Sequence, residues 1–145
     1  MEDVSRKDIY SFIAGLLSPL GTHIYRVGIP ETLGEDDISD GFTVLKLGDI
    51  YDHSEVPLTT YCTARMTVCC YVPSVSTSDI GGIMNTSKFD AIQKQVDSII
   101  MAETVKTGQK YGIGTDDVLS LDDFYSNGTN SFYLYVKSFI ITVSE

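Results

Sequence analysis

Basic residues are in short supply: ten lysines and arginines stand against twenty aspartates and glutamates, a net charge of −10 on 145 residues. A phosphate backbone is gripped by cations that displace its counterions, so this balance excludes wrapping DNA or coating an anionic membrane. It leaves room for passive contact with DNA, as in the wall of a channel through which a duplex slides. Cysteine is scarce as well, with Cys69 and Cys70 adjacent and Cys62 further back on what reads as one extended strand. At ~3.3 Å per residue the Cys62 and Cys70 sulfurs stand roughly 26 Å apart, out of reach of a disulfide. The pattern fits a reducing, intracellular setting in which the thiols pack as small apolar groups. Long apolar runs are missing too, none approaching the ~18 residues that span a bilayer. The opening Met1-Glu2-Asp3-Val4-Ser5-Arg6-Lys7-Asp8 mixes both charge signs, and the apolar stretch behind it is broken by Ser18-Pro19 and Gly21, unlike a secretory signal.

The residues that carry chemistry are equally sparse. The two histidines, His23 and His53, sit at no metal-ligand spacing with Cys, Asp or Glu and read as surface or strand-end residues. No serine has the setting of a nucleophile elbow, and no glycine pattern matches a phosphate-binding loop; Gly81, Gly82, Gly112 and Gly114 read as turn glycines. Asp116-Asp117 and Asp122-Asp123 bracket Val118 to Leu121, and paired carboxylates can hold a hard cation, but the spacing matches no EF-hand loop and solvated strand ends are expected. Asn85-Thr86-Ser87 and Asn127-Gly128-Thr129 are sequons that, without a signal peptide, read as coincidence. No catalytic residue, metal ligand or cofactor is expected.

What is abundant is material for a packed core: 43% hydrophobic residues, nine tyrosines and six phenylalanines, against the pattern of a disordered chain. Ser5 with Asp8 three residues on forms a start signal, and Ile9, Phe12, Ile13, Leu16 and Leu17 follow at helical spacing, predicting a helix from Arg6 to Leu17 that Ser18-Pro19 ends. A short strand, His23 to Ile29, comes next. Glu31 to Gly41, with Glu35, Asp36, Asp37 and Asp40, reads as an exposed loop. Phe42 to Asp52 reads as a strand with apolar groups on both faces, Val44, Leu45 and Leu47 among them. From Thr60 to Val72 the alternation is clear: Cys62, Ala64, Met66, Val68, Cys70 and Val72 point one way, and Tyr61, Thr63, Arg65, Thr67, Cys69 and Tyr71 the other. The two strands suit an antiparallel hairpin whose projecting tip carries Val56, Pro57 and Leu58, a candidate contact surface.

Pro73 to Thr86 is a Ser/Thr/Gly-rich connector, after which Ser87 and Asp90 resemble a capping box and Phe89, Ile92, Val96, Ile99 and Ile100 mark one face of a helix from Lys88 to Glu103. Two more strands, Val118 to Tyr125 and Ser131 to Val143, flank the turn dipeptide Asn127-Gly128. The last offers Phe132, Leu134 and Val136 on one face and Tyr133, Tyr135, Phe139 and Ile141 on the other. The expectation is a single α+β domain: a mostly antiparallel twisted sheet with a long hairpin, packed against two helices, in the order α-β-β-β-α-β-β.

That order resembles the tail-terminator and tail-completion (neck) proteins of tailed bacteriophages, through His23-Ile24-Tyr25-Arg26-Val27 to Pro30 after the first helix, the Gly41 to Val72 hairpin, and the amphipathic Phe89 to Ile100 helix. The resemblance implies a virion subunit assembled in the host bacterial cytoplasm, one copy of a ring, usually a hexamer, that caps the tail tube and faces the neck connector. DNA would pass through the ring without being bound, and Glu35, Asp36 and Asp37 are candidates to line an acidic lumen. Another head-tail connector or a tail-tube subunit would use the same sheet-edge physics. A small intracellular enzyme or ligand-binding domain is the reading from another class, and it requires convergent polar groups in a pocket.

Overall fold

A computed structural model of the protein describes residues 5–52, 61–75, 83–114, 119–127 and 129–144. Ser5 is extended and its hydroxyl accepts the Asp8 amide at 3.3 Å, so the first helix, α1 (Arg6–Leu17), begins at its capping signal. Ile9, Ile13 and Leu17, four residues apart, are buried along one stripe. Pro19 sits in the short 3-10 turn Ser18–Leu20 that follows, and Gly21, at φ +74°, reverses the chain toward β1 (His23–Arg26).

Strand β1 stops at Arg26, earlier than the apolar pattern suggested, because Val27 takes a φ of +76°. The acidic segment after it corrects the expectation of an exposed loop from Glu31 to Gly41: residues 35–40 form a short helix, α2 (Glu35–Asp40), with Asp37 buried in it. Gly41, at φ +89°, turns the chain into β2 (Phe42–Asp52) so close to β3 that a Cβ there would collide with the Tyr71 carbonyl oxygen.

The remaining elements are β3 (Tyr61–Pro73), α3 (Thr86–Thr104), β4 (Tyr111–Ile113), β5 (Leu119–Ser126) and β6 (Ser131–Ser144). Together the strands make one six-stranded sheet ordered β1-β2-β3-β6, with β4 and β5 both lying along the outer side of β6. Only β1 and β2 run parallel; every other pair is antiparallel, giving the α+β architecture expected. The additions are α2 and the three-residue β4. Helix α3 is capped by Asn85, whose side-chain oxygen accepts the Lys88 amide at 3.2 Å, and not by Ser87, which lies inside the first turn.

The mixed polarity of β2 has a structural cause. Between Leu47 and Ile50 the register with β3 gains one residue, so a bulge returns Ile50 to the face that Leu45 and Leu47 share. On that face α1 and α3 cover a core of Met66, Val68, Cys70, Val72, Tyr135, Phe139, Ile141 and Val143. Phe89, Val96 and Ile100 of α3 are buried against it, each contributing about 2 kcal/mol of apolar transfer. Among the described residues the opposite face is covered at one end, by a cluster of Phe42, Val44, Cys69, Tyr71, Phe132 and Leu134 that Tyr25, Ile29, Leu33 and Tyr125 join. Tyr71 stacks on Phe42 at 4.4 Å while Phe132 meets both edge-on.

Candidate assembly surfaces

The surface near β1 is organised by Asp37. Its carboxylate, 1% exposed, accepts hydrogen bonds from the Tyr25 hydroxyl at 2.6 Å, the Gly34 amide at 3.2 Å and His23 Nδ1 at 2.9 Å. Burial alone pushes the carboxyl upward, but the hydrogen bonds from Tyr25, Gly34 and His23 outweigh it and hold Asp37 below the ordinary carboxylate range. Tyr25 is pushed up to about 12, first by its hydrogen bond to Asp37, then by burial and by the negative charge of Asp37. Of the three acids proposed for a lumen, Asp37 is therefore removed from the surface, because its charge is spent fastening α2 to β1. Glu35 and Asp36 remain exposed on the outer side of α2. His23 occupies the strand-end position expected of it, and its bond to Asp37 had no local signal, since fourteen residues separate the two. His53 and the hairpin tip, Val56, Pro57 and Leu58, lie outside the described residues.

Immediately after β1 the Gly28 amide closes on the Arg26 carbonyl at 3.0 Å while the Val27 amide bonds Leu45 at 2.7 Å. Val27 is thus the centre of a γ-turn with positive φ, the rarer and more strained form, and its side chain is 69% exposed. A β-branched residue in that conformation, pointing at solvent, has no packing reason to be there.

At the far edge, β5 pairs with β6 from Leu119↔Ser138 to Ser126↔Ser131. Leu121 and Phe124 are exposed on it at 54% and 42%, beside the exposed Asp122 and Asp123. Asp122 stands opposite Tyr135 on the helix side and Asp123 opposite Leu134 on the other, so the adjacent carboxylates point to different faces and cannot share one cation. Among the described residues no three His, Cys, Asp or Glu side chains gather as a metal would need.

Between the edges, the part of that face beyond the cluster presents the half-buried Thr63, Arg65, Thr67, Ser138, Ile140 and Thr142, with Arg65 donating to the Ser138 hydroxyl at 2.9 Å. The three thiols are buried, and burial raises Cys69 and pushes Cys70 up to about 12, leaving both as neutral packing groups. A shallow groove of about 400 Å³ runs along the outer flank of α3 past Asp90, Lys94, Asp97 and Met101. Of its two carboxylates Asp97 is already engaged, accepting from the Tyr135 hydroxyl at 2.5 Å and from Lys137 Nζ at 2.7 Å. Among the described residues no helix is long and apolar enough to cross a membrane. No protein-family model matches the chain, and no curated protein matches its sequence.

Proposed function

We propose that this chain is a structural subunit of a tailed-phage virion, one copy of a closed ring, usually a hexamer, that terminates the tail tube and joins it to the neck connector. The observation that carries the reading is a sheet with two dissimilar outer strands, β1 and β5, each paired on one side only among the described residues. A sheet with unlike edges associates head-to-tail, and head-to-tail contacts close into rings when the rotation permits. The element order that resembles tail-completion proteins supports the virion setting. Glu35 and Asp36, exposed on a chain of net charge −10, suit the wall of a DNA passage that repels the duplex it conducts.

Solution mass measurement and negative-stain microscopy of the purified protein, with and without tail tubes, test this. Discrete rings with a central hole, free or seated on tube ends, are expected. Long tubes would reassign the chain as a tube subunit, and a monomer indifferent to tail tubes would sink the reading. Replacing Glu35 and Asp36 by Lys should slow DNA ejection; unchanged ejection removes these residues from the lumen.

A further inference from the structure

The ring reading leaves open which surfaces meet. Resting on it, we infer that the β1 edge of one copy pairs with the β5 edge of the next, carrying one sheet from subunit to subunit. The directions of the strands come first. β1 runs with β2, β2 against β3, β3 against β6 and β6 against β5, so β1 and β5 point in opposite senses within one chain. A rotation about an axis along the strands keeps those senses and brings β1 beside the neighbour's β5 antiparallel, the more stable pairing.

The side chains then select a register. With Arg26 opposite Asp122 of the neighbour, Ile24 falls opposite Phe124, and Val27, in the turn just past the strand, comes next to Leu121. One alignment therefore joins a cation to an anion and two apolar residues to two others. Arg26 and Asp122 also lie on the same side of the sheet: the Arg26 guanidinium sits over the Tyr10 ring of α1 at 5.7 Å, and Asp122 is in register with Tyr135 of the helix-side core. Ile24 shares that side, packed against the same core, and Phe124 meets Tyr133 there at 5.0 Å. Two amides of β1 face outward for such a ladder, though the Arg26 carbonyl is held by Gly28. The Val27 amide bonds Leu45 of β2, and the alternation of a ladder turns the amides of Ile24 and Arg26 the other way.

The same charges act against the wrong assemblies. Two fully overlapped β5 edges would set Asp122 and Asp123 against each other, and two β1 edges would put Arg26 opposite His23 with no carboxylate to meet it. Only the mixed contact satisfies both, and it also gives the strained, exposed Val27 a partner in the exposed Leu121.

The test adds one thiol to each edge, Val27→Cys in one sample and Leu121→Cys in another, the native thiols being buried. Under mild oxidation the mixed sample should cross-link at least about tenfold faster than either variant alone. Adding Arg26→Asp to the Val27→Cys chain should slow the reaction about tenfold, and Asp122→Arg in the partner chain should restore it. Equal rates in the three samples, or a mixed cross-link indifferent to the charge exchange, overturn the contact. Microscopy separates this from the ring itself. Rings without the 27–121 cross-link discard the edge pairing and keep the ring, whereas cross-linked open chains keep the pairing and discard the ring.

Discussion

At Asp37 three donors converge on one buried carboxylate, and the chemistry of that single side chain decides how α2 sits on the sheet. Asp37→Ala removes the shared acceptor and should cost about 2–4 kcal/mol in urea unfolding, more than Tyr25→Phe at about 1 kcal/mol. Because the folded carboxyl lies below its unfolded value of about 3.9, its contribution is present above that pH and is lost as pH falls through the folded value. The urea midpoint of the wild type should therefore drop, as the pH falls below about 4, by more than that of Asp37→Asn, which has no carboxyl to protonate. Equal acid sensitivity of the two proteins would exclude Asp37 as the cause. Val27 predicts the opposite sign. Its φ of +76° suits glycine, so Val27→Gly should raise stability by about 0.5–1 kcal/mol, strain relief exceeding the extra freedom of the unfolded chain. The same change should weaken assembly, since it removes an exposed contact. A variant that both loses stability and assembles normally would contradict each half of this account.

Among the elements, α3 is held to the sheet by apolar burial and by one ionic clasp. Lys137 projects from β6 under α3 with its side chain 11% exposed, and Asp97 is its salt-bridge partner. Asp97→Ala leaves a nearly buried ammonium without that partner and should cost about 1–3 kcal/mol, tempered by the partial exposure of the carboxylate. Adding Lys137→Met to Asp97→Ala should recover part of the loss, because an apolar side chain needs no counter-ion, while the bond from Tyr135 to Asp97 stays lost. A double-mutant cycle in thermal or urea unfolding reads this directly, and purely additive losses would show that the clasp is not a coupled pair.

For the whole molecule, the sheet is a wall with α1 and α3 on one face and, among the described residues, a second face covered at one end, where α2 is tied to Tyr25, and its thiols report when that wall opens. Cys62, Cys69 and Cys70 are each 5% exposed or less, on a strand bonded along both edges. Their reaction with a thiol reagent should be slow in native buffer and should track unfolding through the urea transition, the three reacting together. Early reaction of one cysteine would reveal an opening of β3 that precedes global unfolding.

The chain alone determined its local elements and their faces. Ser5 and the Ile9, Ile13, Leu17 stripe set α1, the alternation from Cys62 to Val72 set β3, and the two apolar sets of β6 faced the two cores as their order implies. These are short-range periodicities that a sequence displays directly. What only the tertiary structure decided are relations between distant residues: the burial of Asp37 by Tyr25 and His23, the bulge that turns Ile50 inward, and the placing of β4 and β5 end to end along β6. Asp37 looks like any acid in an acidic stretch until the fold brings Tyr25 and His23 of β1 to it, the Gly34 amide being its one local donor. The opposed edges have the same origin, because Arg26 and Asp122 acquire a shared face and antiparallel directions only once the strands between them are in register.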